Sequence, residues 1–349
     1  MNIKNTNVMR REKRDGKCSN PYKIGTISHI VLVCQVGKCK LMSTLIKYLS
    51  TQVTKVLIFD ILPSVKILFL FIDGVGIREK AADNPVNPEV CPTLWRLITE
   101  HSKNIDSCLG VEGLPQSATG QATMFTGVNC PLAVGKHCEG FPSPALRNII
   151  EENNLFLQLK KRGKRIRFAD AYLVESPEDL SSRRFKSVTT VMALTAPETI
   201  STIDDLTSDT AVMQDITRET IQDRYPEIPV ITPERAAEHL FGVALENDFT
   251  LYEFFQTDVS GHSLDYARAC IVLRTYDKFL ASLVRYTYTA GITLVATSDH
   301  GNVEAMSERG HTRNPVPFIA FGPKEAQIRE RVNSLVDVTP ALLAAFDTL

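Results

Sequence analysis

The sequence of 349 residues has no excess charge of either sign, no CxxC pair, no long apolar run, no internal repeat and no low-complexity tract. Each absence excludes something. Lys+Arg 39 against Asp+Glu 40 leave a formal net charge of −1, so the chain lacks the basic footprint of a polyanion binder and no nucleic-acid partner is expected. The eight cysteines (Cys18, Cys34, Cys39, Cys91, Cys108, Cys130, Cys138, Cys270) are scattered. A chain this long has no need of a disulfide framework, so the expected compartment is the reducing cytoplasm. The longest apolar stretch, Val53 to Ile72, is interrupted by Lys55, Asp60, Pro63 and Lys66. A membrane helix needs roughly 20 consecutive apolar residues, so no membrane partner is expected. The basic start (Arg10, Arg11, Lys13, Arg14, Lys17) includes Glu12 and Asp15 and precedes no clean apolar segment with a cleavage site, which argues against a secretory signal. Composition leaves the oligomeric state open.

What is present is a globular composition, 44% apolar and 23% charged, in a chain long enough for about two domains. Residues 1–64 read as an extension separable from the rest. Ile27 to Val33 and Val56 to Ile61 suggest strands and Lys40 to Leu49 a helix, but none of them carries a chemical motif. The pattern changes at Val65, where VKILFLFIDGVG is an apolar run ending in an acid and two glycines, as a buried parallel strand entering a site loop should. Helical spacing follows at Pro92 to Glu100, and Gly113 to Ser117 is a loop opening a short helix, Ala118 to Phe125, that stops at Gly127. Residues 131–232 mix helical pieces (Pro144 to Lys161, Thr210 to Asp223) with a basic stretch (Lys160 to Arg167) and a Ser/Arg-rich one (Ser181 to Ser187), and read as an inserted cap. The pattern then resumes: a helix over Pro233 to Glu246, a strand over Phe249 to Gln256, a long helix from about Leu264 to Tyr286 and a strand over Ile292 to Thr297. The fold expected is α/β, a mostly parallel central sheet sandwiched by helices, with 65–130 and 233–349 as core and the cap between.

Four segments place ionisable side chains at strand ends and loops: FIDGVG with Asp73, PQSATGQ with Ser117, TDVSGH with Asp258 and His262, and TSDHGNVE followed by GHTRNPVPF with Asp299, His300 and His311. Two ionisable residues directly after the apolar strand ITLVAT are costly unless used. Asp, His and a hydroxyl are the groups that hold two divalent cations around a phosphate ester.

These segments resemble the phosphomutase branch of the alkaline phosphatase superfamily, cofactor-independent phosphoglycerate mutase and phosphopentomutase, over residues 65 to about 345 apart from the insertion. The DGxG after the first strand, TDVSGHSLD and the closing TSDHGNVE…GHTRNPVPF carry the resemblance. It implies that Asp258, His262 and His311 hold one metal, and that Asp73, Asp299, His300 and the nucleophile oxygen hold the other. Mixed nitrogen and oxygen donors suit Mn²⁺ or Zn²⁺ better than Mg²⁺. In that branch a Ser or Thr lies three residues before a Gly at a helix start, which selects Ser117 with Gly120 as nucleophile, with Thr119 as competitor. One departure stands out: Gln121 occupies the place of a His in the two named mutases.

The function implied is metal-dependent phosphoryl transfer through a phosphoserine, by a phosphomutase or a phosphatase acting on a small phosphorylated substrate. A sulfate or phosphodiester hydrolase on the same two-metal site, and a non-catalytic metal-binding protein, remain as alternatives. Arg313, two residues after His311, and His137, in the loop AVGKHCEGFP, are candidate substrate contacts. Arg183, Arg184 and Lys186 would suit a second anionic group, and Asn302 and Glu304 would orient the ligands.

Overall fold

In the computed structural model, which describes residues 65–347, the apolar run Ile67–Ile72 forms strand β1, buried at every position. The readings for residues 1–64 lie outside the described residues. Side chains alternate along a strand, so Ile67, Phe69 and Phe71 join one core and Leu68, Leu70 and Ile72 another. A strand that is apolar on both faces needs cover on both, and that places it at the centre of a sheet.

The sheet has six strands: β1, β2 (Ser102–Ile105), β3 (Ile166–Phe168), β4 (Phe249–Phe254), β5 (Thr293–Thr297) and β6 (Val316–Phe321). Their order is β2-β6-β5-β1-β4-β3. Pairings β1–β4, β1–β5 and β3–β4 are parallel, whereas β6 runs antiparallel to β5 and β2. Helices α1 (Pro92–His101), α5 (Pro233–Glu246) and α7 (Tyr266–Ala290) cover one face through Leu94, Leu97, Leu240, Leu273 and Leu280. Helices α2 (Ser117–Thr126), α3 (Pro144–Glu152), α4 (Val188–Leu194) and α8 (Val338–Asp347) cover the other. There Phe125 meets Phe69 and Phe71 edge-on, with ring centroids 6.1 and 5.9 Å apart. The α/β sandwich expected from the sequence is the fold observed.

Four details differ from the pattern read along the chain. Segment 131–232, read as a cap, gives the sheet its edge strand β3 and gives one helical layer α3 and α4. Only a small buried cluster around Ala171, Leu206, Ala211, Met213, Ile221 and Ile228 stands apart from these layers. Thr210 to Asp223 is not a helix beyond the single turn Glu219–Ile221. Asp215 accepts from the backbone N–H groups of Arg218 and Thr220, and Ile216 and Arg218 take positive φ of 70° and 68°, so side-chain bonding to the backbone outcompetes the helix. The helix expected from Leu264 is preceded by another, α6 (Gln256–Ser263). The two are separated at Leu264, whose φ is 55°, and Asp265 caps α7 by accepting from Arg268 N–H. Strands β2 and β6 were not anticipated, because SKNI is polar and Pro317 interrupts a strand pattern.

Candidate metal centre

The parallel strands deliver the motif residues to one end of the sheet. Asp73 directly follows β1, and Asp299 and His300 lie two and three residues beyond Thr297, the last residue of β5. Asp258 and His262 stand one helical turn apart on α6, which opens just after β4, so both project from one side of it. Ser117 is the first residue of α2, with the positive end of the helix dipole behind its hydroxyl. His311 lies in the loop between β5 and β6.

Two overlapping groups result. Around His300 Nε2 lie Ser117 Oγ at 3.0 Å, Asp73 Oδ1 at 3.3 Å and Asp299 Oδ2 at 3.5 Å. Beside them, His262 Nε2 is 3.1 Å from His311 Nε2 and 3.3 Å from Asp258 Oδ2, and His311 Nε2 is 3.6 Å from Asp258 Oδ1. The rings of His300 and His311 stack at 3.6 Å, which joins the groups. His262, with a half-exposed side chain, is the open side.

This concentration of acids is electrostatically expensive. Burial, then the neighbouring charges of Asp299 and Asp258, push the Asp73 carboxyl well above the usual range. Burial and Asp258 push Asp299 up to about 8. Burial and the nearby His311 hold His300 well below its ordinary value, and burial lowers His311 as well. Asp73 Oδ1, both carboxylate oxygens of Asp299 and His300 Nδ1 are buried without a hydrogen-bond partner. Acids drawn together, neutral imidazoles and unsatisfied oxygens fit a site for divalent cations, since cations reverse each of these penalties.

The surroundings fix these side chains. Gln121 Nε2 donates to Asp73 Oδ2 at 3.2 Å, and Asn302 Nδ2 donates to Asp258 Oδ1 at 2.6 Å. His311 Nδ1 lies 2.8 Å from the Pro115 carbonyl; as donor there, it presents Nε2 as a lone pair toward Asp258. Glu304 accepts from the backbone N–H of Gly76 and Asn302 and from the side chains of Thr312 and Asn314, tying together the loops after β1 and β5. Backbone also approaches closely: a Cβ on Gly120 would stand 2.9 Å from the Asp299 carbonyl oxygen. The geometry separates the hydroxyls of the Ser117 segment. Ser117 Oγ faces His300, whereas Thr119 Oγ1 is engaged with the backbone of Gln116 and Cys138, and Thr123 Oγ1 with Thr119 and Cys130.

The model of the family described as the metalloenzyme superfamily matches residues 65–348. The chain belongs to that superfamily. Its sequence relatives include the 2,3-bisphosphoglycerate-independent phosphoglycerate mutases of Desulforudis audaxviator, 31% identical over 34% of this chain and 26% of the mutase, and of Syntrophotalea carbinolica, 30% identical over 32% and 24%. The matched segments span about a quarter of these mutases. Among solved structures, the PH0037 protein of Pyrococcus horikoshii is similar at 14% identity and a TM-score of 0.49, covering 82% of this chain and 98% of that one. The resemblance to the phosphomutase branch of the alkaline phosphatase superfamily, read above from the motifs, is borne out.

Within this superfamily member, a cleft of about 500 Å³ opens beside Asp73, Ser117 and Asp258. Its wall includes Arg183 but neither Arg313 nor His137. Arg313 is exposed and sits near His137 and Cys108, and His137 Nε2 is 3.2 Å from the Cys108 carbonyl. Of the basic run, Arg184 lies over the Phe185 ring and Lys186 Nζ donates to the Arg183 carbonyl. The five described cysteines are free, and among the described residues no helix is long and apolar enough to cross a membrane. Gln121, Ser298, whose hydroxyl accepts from the Val75 N–H and donates to the His300 carbonyl, and Thr257, whose hydroxyl donates to the Asp73 carbonyl, make contacts that the sequence reading missed. Of these, only Gln121 carried a signal, as the departure from the mutase pattern.

Proposed function

We propose that this protein is a two-metal phosphoryl-transfer enzyme in which Ser117 takes the phosphoryl group from a small phosphate ester. The observation that carries the reading is the convergence of Ser117 Oγ, Asp73 and Asp299 on His300 Nε2, beside the Asp258–His262–His311 group. Asp73, Asp299, His300 and Ser117 Oγ would hold one cation, and Asp258, His262 and His311 the other. Bound there, Mn²⁺ or Zn²⁺ would neutralise charge on the phosphoryl oxygens. Ser117 Oγ attacks phosphorus as the bond to the substrate oxygen breaks, and the serine proton leaves with the released alcohol. Gln121 holds Asp73 and Asn302 holds Asp258 throughout, so the donors need no rearrangement. The phosphoryl group then returns to another hydroxyl of the same alcohol, as in a mutase, or passes to water, as in a phosphatase.

The test is to incubate the metal-loaded protein with phosphate esters and map label by mass spectrometry. Phosphate on Ser117 is the expected result. Label on Thr119 would move the nucleophile, and a fully active unlabelled enzyme would replace this scheme with direct attack by water. Transfer of label to a second substrate hydroxyl identifies a mutase, and release as inorganic phosphate identifies a phosphatase.

A further inference from the structure

The cleft beside the metal centre carries charges of both signs that the scheme above does not use. Along β4 the alternation puts Phe249 and Leu251 into the core that lies beneath α2, and the next residue on that face is Glu253. It stands opposite Phe71 of β1, two residues before Asp73. A strand spacing of about 4.8 Å and a rise of about 3.3 Å per residue set its Cα roughly 8 Å from that of Asp73, a span that a substrate of a few carbon atoms bridges. Asp170, two residues past β3, lies alongside, and the Glu253 N–H donates to its Oδ2 at 2.8 Å. The Thr189 hydroxyl donates to Glu253 Oε2 at 2.7 Å. Asp170 and Glu253 line the cleft and are only 7% and 9% exposed. Among the described residues neither is in an ion pair, and buried carboxyl groups are seldom left without a cation.

The same wall carries two arginines, Arg183 and Arg224. Both are exposed, and neither is in an ion pair among the described residues; Arg224 rests its guanidinium over the Tyr225 ring, 5.1 Å from the centroid. Apart from Asp73 and Asp258 of the metal centre, the charged residues of the wall are therefore two buried acids and two solvent-facing guanidinium groups, which do not pair with one another. A ligand that answers both brings an ammonium group to the acids and a carboxylate to the arginines, whose forked donors fit a carboxylate. An amine alone leaves the arginines unanswered. A carboxylate alone leaves the buried acids without a cation and faces them as a like charge. We infer that the substrate is the phosphate ester of a small hydroxy amino acid, free O-phosphoserine being the simplest, and that Asp170, Glu253, Arg183 and Arg224 are its specificity-determining residues. Burial pushes Asp170 well above the usual carboxylate range and Glu253 up to about 7, a penalty that an ammonium group opposite them offsets. Such an ester has a single hydroxyl. Once Ser117 has taken the phosphoryl group and the amino-acid alcohol has left with the proton, water attacks phosphorus, the bond to Ser117 Oγ breaks, and inorganic phosphate leaves as the Ser117 hydroxyl is restored. The inference rests on the phosphoryl-transfer reading and names its substrate class.

The experiment compares kcat/KM of the metal-loaded full chain for O-phosphoserine, 3-phosphoglycerate, phosphoethanolamine, a pentose phosphate and p-nitrophenyl phosphate. The second replaces the amine of the first by a hydroxyl, and the third lacks its carboxylate, so each ratio isolates one charge. The expected result is a preference of at least about tenfold for O-phosphoserine over 3-phosphoglycerate, phosphoethanolamine and the pentose phosphate. In Asp170→Asn and Glu253→Gln the ratio of O-phosphoserine to 3-phosphoglycerate kcat/KM should fall about tenfold or more. In Arg183→Gln and Arg224→Gln it is the ratio of O-phosphoserine to phosphoethanolamine that should fall. A ratio taken within one variant is unaffected by how much of that variant folds. Equal or better turnover of 3-phosphoglycerate, phosphoethanolamine or the pentose phosphate overturns the inference, as do ratios that the variants leave unmoved. If no ester labels Ser117 or turns over, the phosphoryl-transfer reading itself fails, and this inference with it. Turnover of p-nitrophenyl phosphate with no preference for O-phosphoserine among the other esters sinks only the substrate class.

Discussion

At the residue scale, the centre rests on a few side chains with separable jobs. Ser117→Ala removes the proposed attacking oxygen and a proposed metal donor at once, so activity should fall at least about 10³-fold with loss of the phosphorylated peptide. Gln121→Leu should act differently. It frees Asp73 Oδ2 of its neutral donor, and the expected outcome is about tenfold weaker metal binding by calorimetry, with activity recovered in excess metal. The motif residues announced themselves in the sequence because acids and histidines at the ends of apolar strands have little other reason to be there. Gln121 stood out only as a departure from the mutase pattern, and Glu253 and Asp170 not at all: two isolated acids look like surface residues until the fold shows them buried.

At the element scale, the placement of α2 decides the distance from Ser117 to the acids. Its sequence, SATGQATMFT, is small and polar, yet Ala118 to Thr126 are all buried, because the helix lies between the sheet and its neighbours. Gly120 allows that approach, and Gly120→Ala would drive a Cβ against the Asp299 backbone. A well-packed interior resists such insertions at about 1–3 kcal/mol. We expect a folded protein with a lowered melting temperature and weakened metal binding by calorimetry. Periodicity revealed β1, β5, α1, α2 and α5, whose patterns are strong and whose ends are marked by Pro or Gly. It could not reveal that β3 belongs to the central sheet, since a three-residue strand has no period, nor that α6 ends at Leu264, where a left-handed residue interrupts an otherwise helical stretch.

At the scale of the whole molecule, stability should report the buried acids. Glu253 has a folded-state pKa of about 7 against 4.5 for the free side chain. Between these values the native state binds more protons than the unfolded one, so its contribution is fully present below about 4.5 and is lost as pH rises through about 7. Denaturant midpoints of metal-free protein should therefore decline over that window, and Glu253→Gln should flatten the decline. Adding Mn²⁺ or Zn²⁺ should raise the melting temperature in proportion to RT ln(1 + [L]/Kd), and EDTA should reverse the rise. A melting temperature indifferent to both would mean that the acids hold no metal. The strand order has a further consequence, for synthesis. β1 is made first among the strands, yet both of its neighbours, β4 and β5, lie far downstream; Thr257, just past β4, is 184 residues from Asp73. At about 5–20 residues per second a ribosome takes roughly ten seconds or more to supply the first neighbour. Throughout that interval Ile67–Ile72, buried at every position in the folded protein, lacks both of its native neighbours.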